Sequence, residues 1–430
     1  MALKHQDGHH ESMIDVEDAL SKILSVFSPL STQESDILRT NGMVLAEDVI
    51  SGINIPPLDN SAMDGYAVKY ENIKNASFKN PKSLKVVATT AAGELPYSTL
   101  SNNESVRIMT GAPIPTGANA VVPFEETGDK INSTSSNTPN EVRIHTSSAL
   151  GKNVRKAGQD VKNGETILEA GTVLHPSHIA LIASVGKASV KVFRRPEVAI
   201  LATGNEITKP GNKLHQGKIY DSNSYGIASA VMEAGGNPTI VGIARDNFES
   251  IEKKLNKCNK SDLVITSAGV SKGDFDIVKD VLSKNGTIEF HSVRMKPGKP
   301  LAFGVLNQNG KLVPLVGLPG NPVSALVAFE QFCRPAIRLM LGHEFIPRAT
   351  IKAILDEEID NQDGRRIYAR AFVYKKHDVY HVSLSGVQSS NILSTMAKAN
   401  GLAICPENKT GIKAGETVTV MMLYWPPEVF

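Results

Sequence analysis

Four short polar segments, each following an apolar run, carry the residue types that bind anions and hard cations. "TGNEI" follows Ala202, "RDN" follows Ala244, "SAGVSKGDFD" follows Thr266 and "GLPGNPVS" follows Val316. Glu206, Asp246 and Asp276 lie in three of them. Carboxylates from separate loops can converge on one hard cation, which takes oxygen ligands and bridges phosphates. Ser267, Gly269 and Ser271 offer small residues whose backbone N–H groups can face an anion, and helices starting after Asp274 and Pro322 add partial positive charge. A fifth segment, "RMKPGKP", places Arg294, Lys296 and Lys299 within six residues, with Pro297 and Pro300 stiffening the backbone that presents them. This turn is suited to phosphate or oxyanion. Each feature also has a plainer reading: Asp246 and Asp276 could cap helices, and the cations could form a solvated turn. No GxGxxG or Walker sequence accompanies them, which excludes the dinucleotide fingerprint and the P-loop.

The elements that must position these residues follow from the apolar periodicity. Strands are expected at 198–202, 239–244, 263–266, 301–305 and 312–316, and helices at 223–234, 248–256, 277–284 and 323–341. Apolar strands alternating with helices need crossovers, hence a mostly parallel sheet covered on both faces. In such a sheet ligands bind at the carboxyl ends of the strands, where the polar segments lie. Upstream, Val16, Leu20, Ile23, Leu24 and Phe27 mark a helix with Asp15 as N-cap, closed by Pro29. A second short helix is expected from about Thr32 to Gly42. Between Val44 and Val192, short apolar runs separated by Gly, Pro and Asn indicate a β-rich region, and the polar stretch from Thr127 to Glu141 reads as a hairpin tip or loop. From about Pro347 short strands return, forming a small C-terminal barrel or sandwich.

Composition bounds the rest. The chain has 430 residues, is 41% hydrophobic and carries a net charge of +2, which suits several domains and calls for neither nucleic acid nor a membrane surface. Cys258, Cys333 and Cys405 lie far apart without a nearby histidine set, the pattern of reduced buried thiols in a cytoplasmic protein. The first twelve residues lack the apolar core of a signal peptide, and His5, His9 and His10 read as a polar tail. Outside the sheet, "PPLDNSAMDGYAV" sets Asp59 and Asp64 among small residues. "RIMTGAPIPTGANAVVPFEET" places Thr110 and Gly111 after a strand, with Glu125 and Glu126 beyond, and "RKAGQD" contributes Arg155, Lys156 and Asp160.

Taken in order, "DNSAMDGYAV", "RIMTGAPIP", "KAGQD", "ATGNEI", "IYDSN", "GVSKGD", "KPGKP" and "GLPGNPVS" resemble the molybdopterin molybdenumtransferase family, which comprises the MoeA proteins and the gephyrin E domain, from about Val16 to the C-terminus. The resemblance implies an elongated four-domain α/β and β chain: residues 13–50 with 150–192, a β-rich domain 51–149, a molybdopterin-binding α/β domain 193–345 similar to small pterin adenylyltransferases, and a C-terminal β-barrel 346–430. It implies a homodimer with the site in a cleft between subunits. The implied reaction joins molybdate to adenylyl-molybdopterin with release of AMP, aided by a divalent cation, usually Mg2+, and supplied by a separate adenylyltransferase. In the resemblance Asp64, Thr110 and Asp160 line the cleft, and Glu206, Asp246 and Asp276 match acidic positions near adenylate and metal. Lys296 and Lys299 match the basic turn, Pro319, Asn321, Pro322 and Ser324 the ligand loop, and Arg370 and Ser390 positions near the oxyanion. Asn205 stands where the pattern has aspartate, Ala268 replaces a glycine, and Ser292 and Arg294 reshape the cation cluster, which bears on metal identity and oxyanion choice. Tungstate as the anion, a non-catalytic scaffold and a pterin or nucleotide adenylyltransferase are the alternatives.

Overall fold

The computed structural model describes residues 13–95, 99–128, 139–267, 281, 284, 286–308, 310–344 and 347–425. Its contacts divide the chain into two units: one formed by 1–34, 42–46 and 191–430, the other by 35–41 and 47–190.

In the second unit a five-stranded sheet has the order Ala120–Pro123, Gly65–Val68, Glu104–Ile108, Lys82–Thr90, Glu141–Ile144. Side chains alternate faces with period two. Tyr66, Val68, Leu84, Val122, Val142 and Ile144 share one core; Ala67, Val106, Ile108 and Val121 share another. Gly65 is confined to glycine by its neighbours, because a Cβ there would lie 2.0 Å from the Val122 carbonyl oxygen. That close approach places Asp64 at the lip of the sheet. A helix, Pro176–Ser184, lies in the stretch expected to be β-rich without one. Pro176 at its first turn, after His175 as N-cap, is the signal for it.

The first unit holds a six-stranded sheet with the order Asn237–Ala244, Glu197–Thr203, Leu263–Ser267, Lys311–Leu318, Pro300–Gln308, Gly286–Ser292. The first four strands run parallel, and the last two are antiparallel additions. Consecutive strands 300–308 and 311–318 therefore form a hairpin, not a crossover, since only two residues separate them. Both faces are covered, as the apolar runs require. Val198, Ile200, Leu263, Ile265 and Val316 pack under Ile227, Val231 and Phe329 of the helices Asn223–Ala234 and 322–340 and under the helix Val16–Leu24. Ala199, Leu201, Val264 and Leu315 pack under Ile251 and Leu255 of the helix Phe248–Leu255. The helix expected at 323–341 is interrupted by a π-helical turn, Phe329–Cys333. The helix expected at 277–284 and the polar tip between Thr127 and Glu141 fall largely outside the described residues.

Two local expectations are corrected. Thr32–Asp36 is a strand, followed by a 3-10 turn Ile37–Arg39, not a helix. Its neighbours are held extended by backbone bonds, Arg194 N–H donating to Ser31 and Ile37 N–H to Ala188, and pairing outweighs a weak helical preference. Asp15 occupies the N-cap position without capping; its carboxylate forms an ion pair with Arg294 at 3.4 Å.

The C-terminal region is a closed five-strand barrel. Arg366–Lys376 pairs with both Val379–Leu384 and Gly401–Cys405, closing the ring through Thr350–Leu355 and Thr417–Met422. Ala353, Ala369, Ala371 and Ala403 keep its interior narrow enough to fill with side chains. Met295–Lys296 adds to the same barrel beside Arg366, so the basic turn joins the barrel to the α/β sheet. Among the described residues, no helix is long and apolar enough to cross a membrane.

Candidate functional site

The four parallel strands end along one edge of the sheet, and their loops are cross-linked there. Asn205 N–H donates to Asp246 Oδ2 at 3.0 Å, and Asp246 N–H donates back to Asn205 Oδ1 at 3.4 Å. Lys218 Nζ donates to the Asn205 carbonyl at 2.6 Å. Glu206 folds its carboxylate back over Gly204, where a Cβ would sit 2.7 Å from Oε2; the residue is exposed, and no described residue hydrogen-bonds that carboxylate. Asp246 does not cap the following helix: Asn247 does, its side chain accepting from Ser250 N–H at 2.9 Å. Asp246 is thereby left to the strand-end cluster.

The next two strand ends meet through Asn223. Its amide nitrogen donates to Ser267 Oγ and to the Gly320 carbonyl, both at 2.7 Å. Pro319 is buried, Asn321 is exposed, and Pro322 starts the helix with Ser324 buried in its first turn. Asn321 Nδ2 donates to Ser390 Oγ at 3.1 Å, and Val323 N–H donates to the Ser390 carbonyl at 3.2 Å. The loop carrying Ser390 is shaped by Arg370, which is 1% exposed. The Arg370 guanidinium donates to the carbonyls of Val387, Gln388 and Ser389 and to Thr395 Oγ1 at 3.0–3.2 Å. Burial without a carboxylate partner lowers its pKa to about 10. Arg370 thus grips the loop that presents Ser390, and it also walls a cavity of about 150 Å3 with Lys296, Tyr368 and Gln388.

In the basic turn, Lys296 points its Nζ at Asp363 Oδ2, 3.3 Å away, and Arg365 holds the same carboxylate. The Arg365 hydrogen bond, with help from the charges of Arg365 and Lys296, pulls the Asp363 pKa down to about 2. Lys299 is exposed, and its carbonyl accepts from Val293 N–H; Pro300 opens the next strand opposite Ser292. Arg294 pairs with Asp15, so of the three cations only Lys299 has no ion pair within 4.0 Å among the described residues. Gly269, Ser271 and Asp276 lie outside the described residues.

In the second unit, Asp64 Oδ1 accepts from Thr110 N–H at 2.6 Å and from Thr110 Oγ1 at 2.8 Å, which lowers its pKa. Gly111, at φ +83°, turns the chain so that its N–H reaches the Ser61 carbonyl. Asp160 is exposed, and its N–H donates to the Ile55 carbonyl at the start of the same loop. Asp59 clamps this loop to the neighbouring segment, accepting from Lys156 Nζ at 2.7 Å and Ala157 N–H at 2.9 Å. Asp64, Thr110 and Asp160 are thus all tied to the single loop 55–64.

For a divalent cation the donor set fits in kind. Glu206 and one oxygen of Asp246 are hard oxygen donors left free by the cluster's hydrogen bonds. No group of three or more His, Cys, Asp or Glu converges among the described residues. Asn223, Lys218, Gln388 and Asp363 were missed as site residues from sequence. Asn223 lay in view within "IYDSN", whereas the other three sit in ordinary polar surroundings.

Three family models match the chain in order: the MoeA N-terminal region (domain I and II) over residues 14–186, a "Probable molybdopterin binding domain" over 199–339, and the MoeA C-terminal region (domain IV) over 352–423. The Molybdopterin molybdenumtransferase of Haemophilus influenzae is 36% identical over 415 residues, 95% of this chain and 98% of that protein. Molybdopterin molybdenumtransferase 2 of Mycobacterium tuberculosis is 37% identical over 391 residues, 89% of this chain and 93% of that protein. The crystal structure of a molybdopterin biosynthesis MoeA protein from Pyrococcus superposes with a TM-score of 0.80 at 33% identity, covering 96% of this chain and 100% of that one.

Proposed function

The chain belongs to the MoeA family of molybdopterin molybdenumtransferases, and we infer from this that it is a transferase that inserts molybdenum into molybdopterin during cofactor biosynthesis. We propose further that its substrates are molybdate and adenylyl-molybdopterin, with AMP as the second product. The observation that carries this reading is the strand-end cluster, in which Asn223 joins Ser267 to Gly320 and Asn321 reaches Ser390.

In this reading Ser267, Gly269, Ser271 and the Pro319–Ser324 turn hold the pterin phosphates with backbone N–H groups, and Lys299 adds a cation to them. Lys296 and Arg294 collect the oxyanion beside Pro300, while Arg370 keeps Ser390 in place. Glu206, Asp246 and Asp276 would hold Mg2+, which screens phosphate charge when bound. Asp64, held by Thr110, and Asp160 orient water or the metal oxide, with Gly111 shaping the turn after Thr110. A molybdate oxygen attacks the pterin-side phosphorus, forming a P–O–Mo bridge as the bond to AMP breaks. The two dithiolene sulfurs then bind molybdenum as the bridging phosphate oxygen and one oxo ligand leave it, the latter as water with the two thiol protons. Catalysis comes from positioning and charge stabilisation. The protein acts as a homodimer in the cytoplasm and receives the activated pterin from a separate adenylyltransferase. The test is release of AMP from purified adenylyl-pterin when molybdate is added. No release contradicts the reading, and faster turnover with tungstate would replace the anion alone.

A further inference from the structure

We propose that Asn223 is a positioning residue for this reaction: it sets the gap between Ser267 and the Gly320 turn, the two walls of the phosphate-holding mouth. The inference rests on the function proposed above. Asn223 opens the helix Asn223–Ala234, and that start is fixed from beneath. Asp221, 5% exposed, accepts from Ser224 N–H at 3.0 Å, and Ile227 and Val231 bury the following turns. The side chain therefore projects from a rigid base.

Its amide orientation is settled by chemistry. The Gly320 carbonyl can only accept, so Nδ2 must face it, and the second hydrogen of the same nitrogen reaches Ser267 Oγ. Ser267 and Leu318 are the last residues paired between their neighbouring strands. Beyond that pair, the Asn223 side chain bridges Ser267 Oγ and the Gly320 carbonyl. From its far side the Gly320 turn is held by Ser390, which accepts from Asn321 and Val323. With Asn223 gone, the mouth keeps one anchor and can open on the Ser267 side.

Two hydrogen bonds at a half-exposed residue contribute little to folding, whereas a small shift of a phosphate-holding loop strongly affects binding. The effect should therefore appear in KM. Asn223→Ala and Asn223→Asp should each raise KM for adenylyl-pterin about tenfold with kcat within about threefold. The aspartate variant keeps the size of the side chain but turns an acceptor toward the Gly320 carbonyl, so it should be at least as impaired. Ser267→Ala added to Asn223→Ala should add less than its effect alone, because both act through one bond. Melting temperatures within a few degrees of wild type should accompany these changes. Unchanged KM in both variants, or parallel loss of kcat and thermal stability, would overturn the inference while leaving the function intact. A wild-type protein that releases no AMP would defeat the function and the inference together.

Discussion

Asn205 and Asp246 hold each other by their backbone N–H groups and side-chain oxygens across two strand-end loops. The first is an amide where relatives with the "TGDE" pattern would carry a carboxylate. An amide oxygen can accept from Asp246 N–H without placing a second negative charge against the Asp246 carboxylate. Asn205→Asp should reverse this. Like-charge repulsion should lower the melting temperature by a few degrees without divalent cation, and Mg2+ should restore more stability than it gives wild type. Equal Mg2+-dependent shifts in both proteins would show that this pair does not face the cation.

Thr110 keeps Asp64 ionised with two donors, one from its backbone and one from its hydroxyl. Thr110→Val keeps the shape and the backbone donor but loses the hydroxyl. The Asp64 titration midpoint, read by carboxyl carbon NMR, should rise toward the ordinary carboxylate range. The sign follows from linkage: a depressed carboxyl pKa stabilises the fold above the unfolded pKa, and this is lost as pH falls through the folded value. The variant should therefore be less stable than wild type near neutral pH and lose less stability on acidification. An unmoved midpoint would assign the shift to the backbone donor alone.

Asp363 offers a second pH test. Its pKa of about 2, set first by Arg365, means that its contribution is present above about 3.8 and fades as pH drops toward 2. The carboxylate is partly exposed, so screening limits that contribution to a few tenths of a kcal/mol. Asp363→Asn should remove this acid-sensitive component. It should also free Lys296, lowering KM for molybdate severalfold at low salt and much less at high salt. A salt-independent or unchanged KM would place the Lys296 ammonium away from the oxyanion.

Arg370 illustrates a buried charge satisfied by neutral groups. Arg370→Ala would strand the carbonyls of Val387, Gln388 and Ser389 and leave a void between that loop and the outer face of the barrel, costing about 3 kcal/mol. Arg370→Lys should recover little of this, because an ammonium cannot span the fork of acceptors. Chemical denaturation checks both, and near-wild-type stability of the lysine variant would refute the gripping role.

Much of the α/β domain was legible because its strands are long, apolar and buried on both faces. The helix Asn223–Ala234 matched to the residue, since Gly235 in the left-handed conformation stops it sharply. The hairpin at 300–318 was missed as such because a fully apolar strand carries no mark of its direction. Thr32–Asp36 misled because its extended form depends on partners distant in sequence. In the site, residues flanked by glycine and proline stood out, while the partners that hold them did not. Asn223 looks like any helix-start asparagine until Ser267 and Gly320 are seen on either side. Arg370 read as a ligand for an anion, whereas its guanidinium is engaged by its own chain.

The central claim is that one edge of the sheet receives the phosphate end of the pterin substrate. Diffraction from crystals soaked with AMP and molybdate, with molybdenum located by its anomalous signal, tests it most directly. The account predicts the AMP phosphate within hydrogen-bond distance of the Ser267 loop or the Gly320–Asn321 turn, and molybdenum beside Lys296 or Lys299. Nucleotide density on another face of the molecule, with that edge empty, would contradict it.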